Sequence, residues 1–123
     1  MSSNPVLVVD DHPITRKLTI KILQKLGVDS VLEAGNGQEA LDVLATQPCS
    51  LILLDLSMPV MDGTEMLKHL KASEEFCRIP VVMVTAAAEQ FRVDEALRLG
   101  ADSCILKPVA QQPLSDVVQK FLK

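Results

Sequence analysis

The chain has 123 residues, 48% of them hydrophobic, and a formal net charge of -4. That length suits one domain over 1–123 and can bury a core. The mild acidity argues against a general nucleic-acid surface, which needs a basic patch. No apolar run is long enough for a membrane helix, and Met-Ser-Ser-Asn-Pro at the start has no signal-peptide pattern. Cys49, Cys77 and Cys104 are scattered, odd in number and without metal-ligand spacing, so they suggest neither a disulfide framework nor a metal site. They read as small apolar residues or surface thiols in a cytoplasmic protein.

Val6-Leu7-Val8-Val9, ending at Asp10-Asp11, reads as a first buried strand. Pro13 suits the first turn of a helix, and Ile14, Leu18, Ile22 and Leu26 recur at helical spacing as its expected buried stripe. Gly27 is a plausible stop. Ser30–Ala34 reads as a second strand. Asn36 and Glu39 have capping-box spacing before a helix whose stripe is Ala40, Leu41 and Leu44, closed by Pro48. Leu51-Ile52-Leu53-Leu54 is a third strand that ends on Asp55. Turn chemistry follows in Pro59 and Asp62-Gly63. Asp62 and Glu65 repeat the cap spacing ahead of Met66, Leu67 and Leu70. Pro80 introduces a fourth strand, Val81–Val84, which ends at Thr85. Val93, Ala96 and Leu97 make the next stripe, and Gly100 ends it. Ser103–Leu106 is the fifth strand, followed by Lys107-Pro108. Leu114, Val117, Val118 and Phe121 give the final helix the clearest periodicity in the chain.

Strand and helix thus alternate five times. The expected fold is α/β, a doubly wound (βα)5 three-layer sandwich with a parallel five-stranded sheet covered on both faces. In open sheets of this kind ligands bind at the strand C-termini. Asp10, Asp11, Asp55, Thr85 and Lys107, from four strand ends, should therefore share one edge. Each alone fits a bland role: a helix cap, a loop residue, a strand-end hydroxyl, a surface lysine. Together they are harder to dismiss. Three carboxylates repel one another and favour a cation. An all-oxygen set suits Mg²⁺, and a lysine and a hydroxyl beside it suit a phosphoryl group. A central carboxylate can act as a covalent nucleophile and needs no base. His12, directly after the acidic pair, reads as a loop residue. Met58, Met61 and Met66 read as packing residues and His69 as solvated.

Val8-Val9-Asp10-Asp11, Leu54-Asp55-Leu56-Ser57-Met58-Pro59-Val60-Met61-Asp62-Gly63, Val84-Thr85-Ala86 and Leu106-Lys107-Pro108 resemble receiver domains of two-component response regulators. The motifs run in the family's order along essentially the whole chain. With nothing after the last helix, the stand-alone, chemotaxis-type members are the nearest likeness. The resemblance implies a flavodoxin-like strand order 2-1-3-4-5. It makes Asp55 the acceptor of a phosphoryl group from a histidine kinase or a histidine phosphotransfer protein. Asp11 would bind Mg²⁺ directly and Asp10 through water, with Asp55 and the Ser57 backbone carbonyl as further ligands. Lys107 would pair with Asp55 or the phosphoryl group, and the Lys107-Pro108 bond would be cis. Thr85 would carry the switch to a target on the face of helix 4, strand 5 and helix 5. The protein would catalyse only its own Mg²⁺-dependent phosphorylation and dephosphorylation. It would be a monomer, with a dimer as the alternative, and would contact neither nucleic acid nor membrane. Ser57 and Ala87, both small and uncharged, stand where the family tunes the lifetime of its acyl phosphate.

Cys104 departs from the pattern. The family usually carries Tyr or Phe three residues before the lysine, and Cys104 is too small for that aromatic switch. Three rival readings compete. An aspartyl phosphatase resembles Asp-x-Asp, but Ser57 at the second position lacks the pKa of an acid/base group. A nucleotide or flavin binder needs a phosphate loop after the first strand, where Asp-Asp-His-Pro is anionic. A receiver-like scaffold without turnover is disfavoured by the complete acidic set.

Overall fold

The computed structural model describes residues 4–56, 58 and 60–122. Its sheet has five parallel strands in the order β2-β1-β3-β4-β5: β1 (Val6–Val9), β2 (Val31–Ala34), β3 (Leu51–Asp55), β4 (Val81–Thr85) and β5 (Ser103–Leu106). The helices are α1 (Pro13–Lys25), α2 (Gly37–Thr46), α3 (Gly63–Ala72), α4 (Val93–Arg98) and α5 (Gln111–Leu122). This is the doubly wound sandwich that the sequence implies, with the strand order that the family resemblance implies. Among the described residues, no helix is long and apolar enough to cross a membrane.

The central strands β1, β3 and β4 are apolar up to the polar ends of β3 and β4, Asp55 and Thr85, because both faces are covered. Leu7, Val9, Ile52, Leu54 and Met83 face a core completed by Ala40 and Leu44 of α2, Met66, Leu67 and Leu70 of α3, and Ala96 of α4. Val6, Val8, Leu51, Leu53, Val82 and Val84 face the other core, with Leu23 of α1 and Leu114, Val117 and Val118 of α5. Each fully buried leucine in such a core contributes roughly 2 kcal/mol of transfer free energy. Asn36 and Asp62 cap α2 and α3 as their spacing predicts, accepting the backbone N–H of Glu39 at 2.9 Å and of Glu65 at 3.0 Å. Gly27 and Gly100 end α1 and α4 at φ of 92° and 113°, a conformation that disfavours a Cβ.

Three expectations are corrected. The buried stripe of α1 is not Ile14 and Leu18, which are 78% and 58% exposed; Thr19 and Leu23 are buried instead, with Ile22 and Leu26 half-buried. Helical spacing marks an apolar face but does not say which side the sheet covers. The fourth helix is short because a 3-10 helix, Ala87–Arg92, precedes it; Leu97 is exposed and Ala96 carries its contact. The second strand begins at Val31, with Ser30 outside it. Met58 and Met66 are buried, Met61 is half-buried against the core, and His69 is exposed.

Candidate functional site

Parallel register brings four strand ends to one edge. Val9 pairs with Leu54, Asp55 with Val84, and Thr85 with Leu106. Asp10, Asp55, Thr85 and Lys107 therefore emerge side by side, and Asp11 follows directly. Asp10, Asp55 and Thr85 are buried, at 4%, 2% and 1% exposure. Ionisable groups this deep are costly unless paired. The pairing is with Lys107: its Nζ donates to Asp55 Oδ2 at 3.0 Å and lies 3.7 Å from Asp10 Oδ2. Burial alone would push the Lys107 ammonium down. The hydrogen bond and charge of Asp55, with Asp10 and Asp11 beyond it, outweigh that and leave its pKa raised.

One ammonium does not balance three carboxylates. Like charges about 5 Å apart repel by on the order of 3 kcal/mol at an effective dielectric of 20. Asp10, Asp11, Asp55 and His12 each place one ligand atom within 4.8 Å of the others. Asp11 Oδ1 is buried and, among the described residues, has no hydrogen-bond partner. A converging oxygen-rich set with an orphaned carboxylate oxygen fits a divalent cation of the Mg²⁺ class.

Neighbouring elements hold the site. Arg16 of α1 donates from Nη1 to the Asp10 carbonyl at 2.6 Å and from Nε to Glu33 Oε1 at 2.8 Å, tying β1, α1 and β2 together. Gly63 allows α3 to start against β3: a Cβ there would overlap the Asp55 carbonyl oxygen, and its N–H donates to the Leu56 carbonyl at 2.8 Å. Val60 in the same loop is left-handed at φ 69°, a strained state for a β-branched residue. Arg92, just before α4, reaches Asp62 Oδ2 at 3.2 Å and Thr64 Oγ1 at 3.3 Å, so the cap of α3 is tied to the segment after β4. Burial would raise the Asp62 carboxyl; the Glu65 N–H, the Thr64 hydroxyl and Arg92 together hold it below its usual range. The Thr85 carbonyl accepts the Lys107 N–H at 2.7 Å, and the Thr85 hydroxyl donates to the Ala86 carbonyl at 3.2 Å. The Lys107-Pro108 bond is cis, as the resemblance implies.

Sequence reading gathered Asp10, Asp11, Asp55, Thr85 and Lys107 at this edge, and the structure brings them there. The Ser57 carbonyl lies outside the described residues. Cys104 is half-buried on β5 opposite Met83, against the core shared with α2, α3 and α4. Burial raises its thiol pKa. His12 stands in the loop between β1 and α1, as its sequence position implies; what sequence does not show is that its Nδ1 lies 3.1 Å from Asp11 Oδ1. Arg16 and Arg92 are long side chains whose direction no spacing rule gives.

A sequence model of the response regulator receiver domain matches residues 6–119. The chain belongs to this family. Receiver domains act in two-component signalling, between a histidine kinase or phosphotransfer protein and a downstream target. The chain is 32% identical over 118 residues to chemotaxis protein CheY-3 of Vibrio cholerae, covering 96% of this chain and 91% of that protein. It is 35% identical over 118 residues to a CheY homolog of Campylobacter jejuni, covering 95% and 91%. The receiver domain of a signal transduction histidine kinase from Syntrophus aciditrophicus superposes with a TM-score of 0.88 at 31% identity, covering 98% and 90%. The receiver domain of a sensor histidine kinase from Pseudomonas aeruginosa superposes at 0.87 and 26% identity, covering 98% of each chain. That structure has a magnesium ion coordinated in its active-site cleft.

Proposed function

We propose that Asp55 of this receiver accepts the phosphoryl group, with Asp10, Asp11 and Asp55 holding Mg²⁺. The observation that carries the reading is the buried Asp55 carboxylate with the Lys107 ammonium at 3.0 Å, brought together from residues 52 apart. An Asp55 oxygen attacks phosphorus, an O–P bond forms, and the P–N bond to the donor imidazole breaks with its electron pair leaving on the ring nitrogen. The product is an acyl phosphate. Lys107 already sits at the attacking carboxylate and would stabilise negative charge as it spreads over the phosphoryl oxygens. Bound at the acidic set, Mg²⁺ would neutralise phosphoryl charge and orient the transfer. Asp10 is held for this by the His12 N–H, which donates to its Oδ1 at 2.9 Å.

Thr85 is the link outward. Its carbonyl holds Lys107 and its hydroxyl lies at the start of the segment that leads into the 3-10 helix and α4, so a turn of that hydroxyl toward a phosphoryl oxygen would shift both. The target would dock on α4, β5 and α5, where Phe91, Leu97 and Leu106 are exposed large apolar residues on or next to that face. With Cys104 in place of a large aromatic, the coupling runs through Thr85 and the loop after it. The protein acts as a cytoplasmic monomer and turns over no substrate beyond its own phosphorylation and dephosphorylation.

Intact mass after incubation with acetyl phosphate tests the reading. A Mg²⁺-dependent adduct of one phosphate in the parent, absent in Asp55→Asn, is expected; undiminished labelling of the variant would overturn it. Mg²⁺ should also raise the thermal midpoint of the parent by binding the native state, and raise that of Asp11→Ala much less.

A further inference from the structure

We propose that His12 is an additional ligand at the acidic site, so that the site takes a later first-row divalent cation through its ring nitrogen together with the carboxylates. The inference rests on the metal-site reading above and extends it from an all-oxygen set to a mixed nitrogen and oxygen set.

The geometry is on the page. His12 Nδ1 lies 3.1 Å from Asp11 Oδ1 and 3.6 Å from Asp10 Oδ1. Two ligand atoms about 2.1 Å from one ion, at right angles to each other, are about 3.0 Å apart. Asp11 Oδ1 has no hydrogen-bond partner among the described residues; the ring nitrogen stands at ion-pair distance from it, a contact that a shared cation would replace. Pro13 restricts the residue before it to extended backbone, and His12 stands at φ -94° and ψ 109°. Its N–H is engaged by Asp10 Oδ1 at 2.9 Å. The backbone is thus fixed at both sides of the ring. The side chain remains 67% exposed and accessible to an ion from solution.

Ligand chemistry gives the consequence. Mg²⁺ prefers oxygen and retains water, so it gains little from an imidazole. Fe²⁺, Co²⁺, Ni²⁺ and Zn²⁺ bind imidazole well. His12 should therefore discriminate among cations: it should strengthen these ions and leave Mg²⁺ almost unchanged, which lets them compete for the site that phosphorylation uses.

Co²⁺ is the probe, with calorimetry for affinity and proton NMR for the ligand. The expected result is a far-shifted, solvent-exchangeable imidazole N–H resonance in the Co²⁺-loaded parent that disappears in His12→Ala. Co²⁺ affinity should fall by about tenfold or more in that variant, with Mg²⁺ affinity within about twofold. A shifted resonance that survives in His12→Ala, or an unchanged Co²⁺ affinity, would overturn the assignment. Asp11→Asn separates the two levels. If it weakens both ions while His12→Ala weakens neither, the metal site stands and the His12 assignment falls. If it weakens neither ion, the metal site itself is misplaced and both fall.

Discussion

The two ends of the sheet handle polar side chains in opposite ways. At the N-terminal end they mainly serve the backbone, and the charge pair there, Lys71 Nζ with Asp102 Oδ2 at 3.9 Å, is solvent-accessible. Asp102 Oδ2 accepts the Val81 N–H at 2.8 Å, Lys71 donates to the Cys77 carbonyl at 3.2 Å, and Ser50 donates to the Asn4 carbonyl at 2.9 Å. These contacts start strands and close loops, and Asp102 stays exposed. At the C-terminal end Asp10, Asp55 and Lys107 are turned toward one another, and the two aspartates are buried. Such a cluster is costly to hold, even with the His12 backbone N–H donating to Asp10 Oδ1. Polar groups that close hydrogen bonds to the chain mark structure; buried charges that face one another mark chemistry.

Substitutions at the two ends should behave accordingly. Lys107→Met removes the ammonium that lies beside two buried carboxylates. It should destabilise the metal-free protein by about 2 kcal/mol, below the usual loss for a buried pair because the lysine reaches solvent. Denaturant titrations across pH sharpen this. The Lys107 pKa is raised in the folded state, so its contribution is fully present below about pH 10.5 and is lost as pH rises through the higher folded value. The gap between parent and Lys107→Met should be level from neutral pH up to that value and close above it. Asp102→Ala should cost about 1 kcal/mol, one backbone hydrogen bond, with phosphate labelling unchanged. Equal loss of labelling in this variant would break the distinction between the ends.

Asp62 lies between the two cases, since it caps α3 and also meets Arg92. Asn caps almost as well, so Asp62→Asn isolates the charge; about 0.5 kcal/mol should be lost at neutral pH, as for a solvent-screened pair. Its carboxyl is held below 3.8, so that contribution is present above this value and should vanish as pH falls through the lower folded pKa. A series of chemical denaturations from pH 7 downward through the acid range checks it. Leu18→Ser should change stability by less than about 0.5 kcal/mol, because more than half of the residue is in water. A larger loss would mean that the outer face of α1 is covered in solution.

Much of this was legible beforehand, for physical reasons. Strands covered on both faces must be continuous apolar runs, so β1, β3 and β4 stand out, and each ends where a polar residue meets the open edge. Asn36 and Asp62 announce helix starts because a cap needs an oxygen three residues before a free N–H. Only half of the α1 stripe is legible, because Ile14 and Leu18 are apolar at the right spacing on the wrong side while Ile22 and Leu26 pack against the core. The 3-10 helix before α4 has no side-chain cap at Ala86 to announce it. His12 stood next to the acidic pair, yet adjacency along a chain does not tell where a ring points. That required the backbone set by Pro13.

The most direct measurement is to locate the acyl phosphate. The protein is phosphorylated with acetyl phosphate and Mg²⁺, reduced with borohydride, digested, and sequenced by mass spectrometry. Reduction converts an aspartyl phosphate to homoserine. Homoserine at position 55 alone, absent without Mg²⁺, is the expected result. Homoserine at Asp10, Asp11 or Asp62 in place of Asp55, or at none of them in a sample that carries phosphate, would contradict the assignment of Asp55 as the acceptor.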